Sequence, residues 1–574
     1  MAPSSRRAAA AVAVLLALLG AALVVDHQRL DTATMDEPFH ALAGCEYALS
    51  GTYWANLEHP PLAKLLAGVT AGLAGARPPR LPEPFSFATA ETPQRFLYGN
   101  DLPPGPLLAA ARRPFPVLHV LVVLLGAAAA GRAAGPLAAA GAALLLAFEP
   151  TLVAHAGFLH TDVGAALGFL ATVLAALAAL RRPSWPRWGA TGVVLGLALA
   201  TKFTAVFLGP ILLTLVLVFL LLEKRRTGRY PLATLGGLAA ASAVAAVVLL
   251  GVYAVAMRNM PRAEAARSAR LFLEGRRVAP AMVERIGALS RLLPPAGHYA
   301  AGLAGVAEQN RRGGGVNVFL GEVSVDGFPA YFPVAFLVKS SLGFLGALAL
   351  AAALVAARRV RAGFGALAFL LPPAYVFLSS VASSYNIGVR HVLPAVPFLA
   401  VGAAVAIVRG LPPRAAGAAL LALGLLQAGE TLAVHPHEVS FFNAAAGGPA
   451  KGHLWLNDSN LDWGQDLDRL ARELARRGEP EVTVAYFGGA YPPYHLPAAR
   501  LFDAARTPLT PGLYAVSAYL LAAGPEVMAF RGDAARAAGY ARLRQALAAR
   551  GRPEGRVGYS ILLYRLPEER TPSP

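Results

Sequence analysis

Eleven separate stretches of this chain are apolar enough to be read as membrane spans, and that pattern limits its fold more than any other feature. They lie at roughly 8–25, 115–131, 135–154, 162–180, 187–201, 203–222, 232–256, 331–357, 363–381, 391–408 and 413–430. A helix needs roughly 20 mostly apolar residues to cross hydrocarbon. The run 62–76 is apolar but shorter, and is expected to lie in the interface or to re-enter. Composition agrees: 56% of the 574 residues are hydrophobic and 15% are charged, less charge than a soluble protein carries. The expected fold class is an α-helical polytopic membrane protein.

The net charge of +18 invites a nucleic-acid reading, but the placement of the basic residues argues otherwise. With Arg6 and Arg7 in the cytoplasm, alternate loops hold Arg132; Arg181, Arg182 and Arg187; Lys224, Arg225, Arg226 and Arg229; Arg358, Arg359 and Arg361; Arg409 and Arg414. All fall on the inner side, a positive-inside pattern, so no nucleic-acid partner is expected. No small-x-small site follows the first span, which is therefore expected to stay uncleaved. Eleven spans put the C-terminus outside, together with the segments 26–114, 257–330 and 431–574. The first two are too long and too rich in Pro, aromatic and charged residues for plain connectors. The expected division is a membrane domain over 1–430 and a small outer α/β domain over 431–574. In the latter, 481–487, 512–518 and 559–565 read as strands, and 464–477 and 532–550 as amphipathic helices. Cys45 is the only cysteine, which excludes an internal disulfide and a thiolate metal cluster.

The residues with chemistry gather on the outer side. Asp36 and Glu37 follow the first span; such a pair can act as general base for a hydroxyl, with desolvation raising its pKa, or simply open a solvated helix. Pro60 and Pro61 open a helix, with Glu58 and His59 before it and Lys64 one turn in. Glu58 and His59 suit structural or substrate-orienting roles, and can also form part of a metal site; the sequence leaves a divalent metal open and implies no other cofactor. His160 and Asp162 begin the fourth span, where Asp162 is either an N-cap or a second carboxylate beside Asp36. Lys202, between two spans, either marks function or snorkels to the interface. Arg112 and Arg390 are basic against the topology bias, and an anionic head group is their simplest partner. The absence of a Walker-type loop argues against a nucleotide donor. Asp458, Asn460, Asp462, Trp463 and Gln465 form a polar-aromatic cluster that either binds carbohydrate or ties a loop.

Several motifs in order resemble one family: MDEPFH at 35–40, EHPPLAK at 58–64, HTDV at 160–163, TKFTA at 201–205, YFPVAFLVKS at 331–340 and SYNIGVRHVLPAVPF at 384–398. HEVSFFNAAAGGP at 437–449 and DSNLDWGQDL at 458–467 resemble the C-terminal part of one bacterial branch. The chain resembles the lipid-carrier-dependent glycosyltransferases of family 39, relatives of protein O-mannosyltransferases and of the aminoarabinose transferase. The resemblance implies a GT-C fold in the bacterial inner membrane. It also implies transfer of a sugar from a polyprenyl-phosphate donor, with inversion, to a glycan, lipid or protein acceptor. It implies Asp36 as catalytic base with Glu37 beside it, Asp162 as a second acidic position, and Lys202, Arg112 and Arg390 on the phosphate side. Glu58, His59, Lys64 and His160 would orient substrate, although the aminoarabinose branch has a lysine where His59 stands. A transporter or flippase of lipid-linked sugars is the competing expectation, since intramembrane Lys and outer carboxylates occur there too.

Overall fold

The computed structural model describes residues 3–79, 91–228, 231, 233–313, 315–361 and 363–567. Arg229, one of the basic loop residues, lies outside them.

All eleven apolar stretches are helical, but they are not eleven equal spans. Eight helices are long and apolar enough to cross a membrane, and up to ten if two bent pairs each count once. Pro136–Ala147 and Pro150–Ala156 meet at 59°, and Tyr331–Lys339 and Leu342–Ala356 at 111°. The first break falls at Glu149-Pro150, where proline has no N–H to continue the ladder and the Glu149 carboxylate accepts from Leu152 N at 2.6 Å. The second falls at Ser340-Ser341, where the Ser341 hydroxyl caps Phe344 N at 3.0 Å. The remaining stretch is the helix Trp185–Leu199, only 15 residues long. It lies close against Ala233–Ala256 through glycines. A Cβ on Gly192 would stand 2.5 Å from Ala241 O, so only glycine allows this approach. The multi-pass character is also visible on the surface: Leu213, Leu217 and Leu221 of one helix are each about half exposed. That spacing lays one apolar stripe outward, as suits lipid.

The described residues of 26–114 include the helices Glu37–Cys45, Leu62–Leu73, Glu91–Tyr98 and Pro104–Arg112. Glu37–Cys45 and Leu62–Leu73 pack so tightly that a Cβ on Gly68 would collide with the Gly44 carbonyl. The segment 257–330 holds the helices Arg262–Gly275, Pro280–Leu292 and Pro294–Arg311, then a two-stranded antiparallel ribbon.

After Val434 the chain runs through short turns to Asp466 and then into a five-stranded sheet. Its order is Arg500–Leu501, Thr483–Ala485, Gly512–Ser517, Ile561–Leu566 and Gly555–Val557. The first three are parallel and the last two join antiparallel. The helices Leu467–Arg477 and Ala534–Ala548 fall where the amphipathic pattern places them. The turns of 438–466 are laced into the helical body: Lys339 Nζ donates to Val439 O at 2.7 Å and to Asn460 O at 2.6 Å. Met35 N donates to Trp463 O and Thr32 N to Gln465 O, each at 3.0 Å.

Candidate active site

Four distant stretches bring their charged side chains together at helix ends. Asp36 precedes the helix Glu37–Cys45, Asp162 opens Asp162–Arg181, Lys202 precedes Phe203–Phe207, and Arg390 lies in Val389–Ala395. Lys202 is paired with Asp162, whose second oxygen pairs with His160 Nδ1. Arg390 reaches Asp162 at 3.5 Å, Asp36 at 3.6 Å and His160 Nε2 at 2.6 Å. His160 Nε2 in turn is 3.4 Å from Asp36. Asp162 is fully enclosed, whereas the Asp36 side chain is 37% exposed. One carboxylate is therefore neutralised by its neighbours and the other remains available.

Asp36 faces a small polar cavity of about 70 Å³, bounded also by His40, His160, Lys202 and Arg390. This adjoins a larger cavity of about 300 Å³ whose walls include Phe169, Phe207, Phe332, Val376 and Pro394. Glu58, His59, Lys202, Tyr385 and His391 border both. A ligand with a polar head and an apolar tail fits such a pair of chambers.

Desolvation was expected to raise the Asp36 pKa, and the structure reverses that. Burial does push its carboxyl up, but the His160 hydrogen bond and the Arg390 guanidinium outweigh it and hold the group well below the usual carboxylate range. Asp36 is thus firmly ionised.

Glu37 and Arg112 are not in the cavities. Arg112 Nε and Nη2 donate to the two Glu37 oxygens at 2.7 and 2.6 Å, a buried bidentate pair. Glu37 also accepts from Thr34 N and Leu159 N, each at 2.9 Å. The other Arg112 nitrogens reach the carbonyls of Gln28, Asp31 and Thr32. Every charge-bearing atom of the pair serves the scaffold, so a catalytic Glu37 and a phosphate-binding Arg112 do not fit this geometry. Lys64 is likewise buried, donating to the carbonyls of Asn56 at 2.9 Å and His59 at 2.8 Å; it orients His59 rather than substrate. Glu58 borders both cavities and is paired with Arg276.

The sequence did not single out His40 or Ser459 as contributors, and it named Trp463 only within the polar-aromatic cluster. His40 lies one helical turn after Asp36, and that spacing of four was the signal available. Its Nδ1 is 3.0 Å from Leu159 O while Glu37 holds Leu159 N, so one helix grips both sides of the residue before His160. Ser459 Oγ accepts from Arg390 Nε at 3.1 Å and donates to Ile387 O at 2.5 Å. Trp463 carries the Arg390 guanidinium on its face at 4.4 Å and meets the His160 ring at 5.3 Å. The DSNLDW cluster, read as carbohydrate-binding or loop-tying, here supports Arg390. Among the described residues, one group has spacing that suits a metal ion: His40, His59 and His160.

Solved structures similar to this chain share low identity. ArnT from Cupriavidus metallidurans bound to undecaprenyl phosphate is 16% identical, with 96% of this chain and 97% of that chain covered and a TM-score of 0.48. The archaeal oligosaccharyltransferase AglB from Archaeoglobus fulgidus, in complex with an inhibitory peptide and a dolichol-phosphate, is 15% identical over 69% of this chain and 50% of that chain, at 0.43. The S. cerevisiae protein O-mannosyltransferase Pmt1-Pmt2 complex bound to the sugar donor is 20% identical over 43% and 33%, at 0.31. No curated protein matches the chain. Residues 106–260, the segment that supplies His160, Asp162 and Lys202, match the family model described as dolichyl-phosphate-mannose-protein mannosyltransferase.

Proposed function

We propose that the protein moves a sugar from a polyprenyl-phosphate-linked donor to an acceptor hydroxyl at the outer face of the bacterial inner membrane, with inversion at the anomeric carbon. The observation that carries this reading is the partly exposed Asp36 carboxylate beside Arg390 and Lys202, at the junction of a polar and an apolar-walled cavity. The lipid tail would enter the larger chamber and the phosphate would lie towards Lys202 and Arg390. The ArnT and AglB structures carry undecaprenyl phosphate and a dolichol-phosphate, which agrees with a donor of this class. The basic inner loops support the outer placement.

In this reading the acceptor oxygen attacks C1 of the sugar from the side opposite the phosphate. The new C–O bond forms as the C1–O bond to phosphate breaks. Asp36 takes the acceptor proton, and the polyprenyl phosphate leaves with the bonding electrons, its charge met by Arg390 and Lys202. A single displacement of this kind inverts the anomeric carbon, and the pairing of Asp162 with Lys202 and His160 agrees with a supporting role for that second carboxylate. The low basicity of Asp36 in the free enzyme has a use here. A bound phosphate draws Arg390 towards itself, weakens its hold on Asp36 and makes that carboxylate a better base when donor is present.

The test is transfer by purified protein from a polyprenyl-phosphate sugar, read as released polyprenyl phosphate together with a glycosylated product. Asp36→Asn is expected to abolish both while leaving membrane insertion and melting temperature unchanged. Normal turnover by that variant would overturn the assignment, and lipid movement without bond cleavage would favour the flippase.

A further inference from the structure

We propose that Tyr98, Tyr491 and Tyr494 form a platform that binds the carbohydrate part of the acceptor; as an acceptor subsite it rests on the transfer reading above. Tyr491 and Tyr494 are 44% and 55% exposed. The Tyr98 ring meets both, with centroids 5.8 Å from Tyr491 and 5.1 Å from Tyr494, each pair inclined at 56°. Three phenol rings thus gather at the surface, where the helix Glu91–Tyr98 meets the turn after Ala490.

The cluster is braced from within. His495 Nδ1 lies 2.6 Å from the Asp468 carboxylate, and its Nε2 lies 2.9 Å from the Tyr98 hydroxyl. A carboxylate only accepts, so the neutral imidazole carries its hydrogen on Nδ1 and its Nε2 accepts from Tyr98. The same phenol oxygen accepts from Tyr491 N at 3.0 Å. One chain of hydrogen bonds therefore ties the two elements together. Pro492 and Pro493 stiffen the backbone between the two exposed rings. Phe96 and Leu97 are buried and anchor the helix that ends in Tyr98. Rings that are already ordered lose little freedom on binding.

Carbohydrate fits this chemistry. A sugar ring has an apolar C–H face and an edge of hydroxyls, and a phenol ring offers an apolar face and a polar tip. Asp468, itself 44% exposed, adds a strong acceptor at the rim. Arg472 is close enough to act on that carboxylate, so the rim carries both signs of charge. Such a rim matches neither an apolar tail nor an anionic head group.

The platform also lies along the segment that carries Asp36. Gly489 packs so closely that a Cβ on it would stand 2.2 Å from Thr34 O and 2.8 Å from Pro38 Cδ, on both sides of Asp36 in the chain. Tyr491 is two residues further on, at most about 7 Å of backbone. The helix Glu91–Tyr98 packs against Glu37–Cys45, the helix that Asp36 precedes. An oligosaccharide seated on the tyrosines is therefore held near the base.

The experiment uses full-length protein in lipid nanodiscs, titrated calorimetrically with maltohexaose, mannopentaose and chitotetraose. The parent is expected to bind at least one of them. Tyr491→Ala and Tyr494→Ala should each weaken that binding at least about tenfold, while Tyr494→Phe keeps most of it. Both rings are exposed, so melting temperatures should match the parent. In the transfer assay the alanine variants should raise KM for a glycan acceptor far more than KM for the donor. Binding of none of the three sugars overturns the proposal, and so does equal binding by parent and alanine variants. A spin label at Tyr494→Cys whose relaxation responds to oxygen as in hydrocarbon would place the rings in lipid and overturn it too. Tyrosine-dependent sugar binding by a parent that transfers nothing would keep the platform and overturn the transfer reading, so the two failures are distinguishable.

Discussion

Replacing Glu37 by Gln separates a scaffold role from a catalytic one. The carboxylate receives five donors: Arg112 Nε at 2.7 Å and Leu159 N at 2.9 Å on one oxygen, and Arg112 Nη2 at 2.6 Å, Thr34 N at 2.9 Å and Thr34 Oγ1 at 3.1 Å on the other. An amide offers one accepting oxygen, so whichever way it turns it aims an NH₂ at donors and leaves Arg112 charged, buried and half paired. Removing one member of a buried ion pair costs about 3–5 kcal/mol. At about 1.4 kcal/mol per factor of ten, even the lower figure makes local opening on the order of a hundredfold easier. Hydrogen exchange should therefore quicken at residues 31–37 and at Leu159 and His160, with a lower melting temperature. Activity should fall only as far as the folded fraction does. The double variant Glu37→Gln/Arg112→Gln should recover part of the loss, because no unpaired charge stays buried. A Glu37→Gln protein with parental melting and exchange but no turnover would refute this reasoning and return Glu37 to the catalytic list.

Other predictions concern the C-terminal segment. Ser459→Ala removes the acceptor for Arg390 Nε, and is expected to lower transfer about tenfold through a looser guanidinium, with unchanged melting; parental kinetics would remove Ser459 from the site. Burial pushes the Asp462 carboxyl up to about 8, against donors from Tyr519 N and Gly464 N. Its folded pKa exceeds the unfolded one, so its contribution is fully present below about pH 4 and is lost as pH rises through about 8. Thermal melts across that window should fall with pH, and Asp462→Asn should flatten the slope; an unchanged slope contradicts it. Cys45 is fully buried, so the parent should resist a membrane-impermeant maleimide. A cysteine introduced as Ala549→Cys should react from outside intact cells, and labelling only after lysis would invert the topology.

The apolar runs made the helices legible, since burial in lipid and packing both demand apolar residues over the same lengths. Their breaks were not. Tyr331–Lys339 and Leu342–Ala356 read as one run because both halves are apolar, while the turn is set by two serines and by Glu430, which accepts from Leu342 N at 2.7 Å. Asp36, His160, Asp162, Lys202 and Arg390 were all visible as charged or polar residues at span ends. Glu37 was misread for a geometric reason. Successive residues on a helix point about 100° apart, so Asp36 faces the cavity while its neighbour turns inward to Arg112. The histidine triad was hidden because positions 40, 59 and 160 share no local pattern. Only the folding of three stretches onto one another creates it.

The dependence of Arg390 on Ser459 and Trp463 has a consequence for how the protein is made. A nascent chain emerging through Val434 carries every candidate span found among the described residues. At that moment its key guanidinium lacks both the hydroxyl and the indole that hold it, and Met35, beside Asp36, lacks the carbonyl of Trp463. The spans and the groups that hold Arg390 thus come from successive parts of the chain. The residues that complete the centre are synthesised after the membrane part is finished, so a prematurely terminated product would occupy the bilayer without an assembled centre.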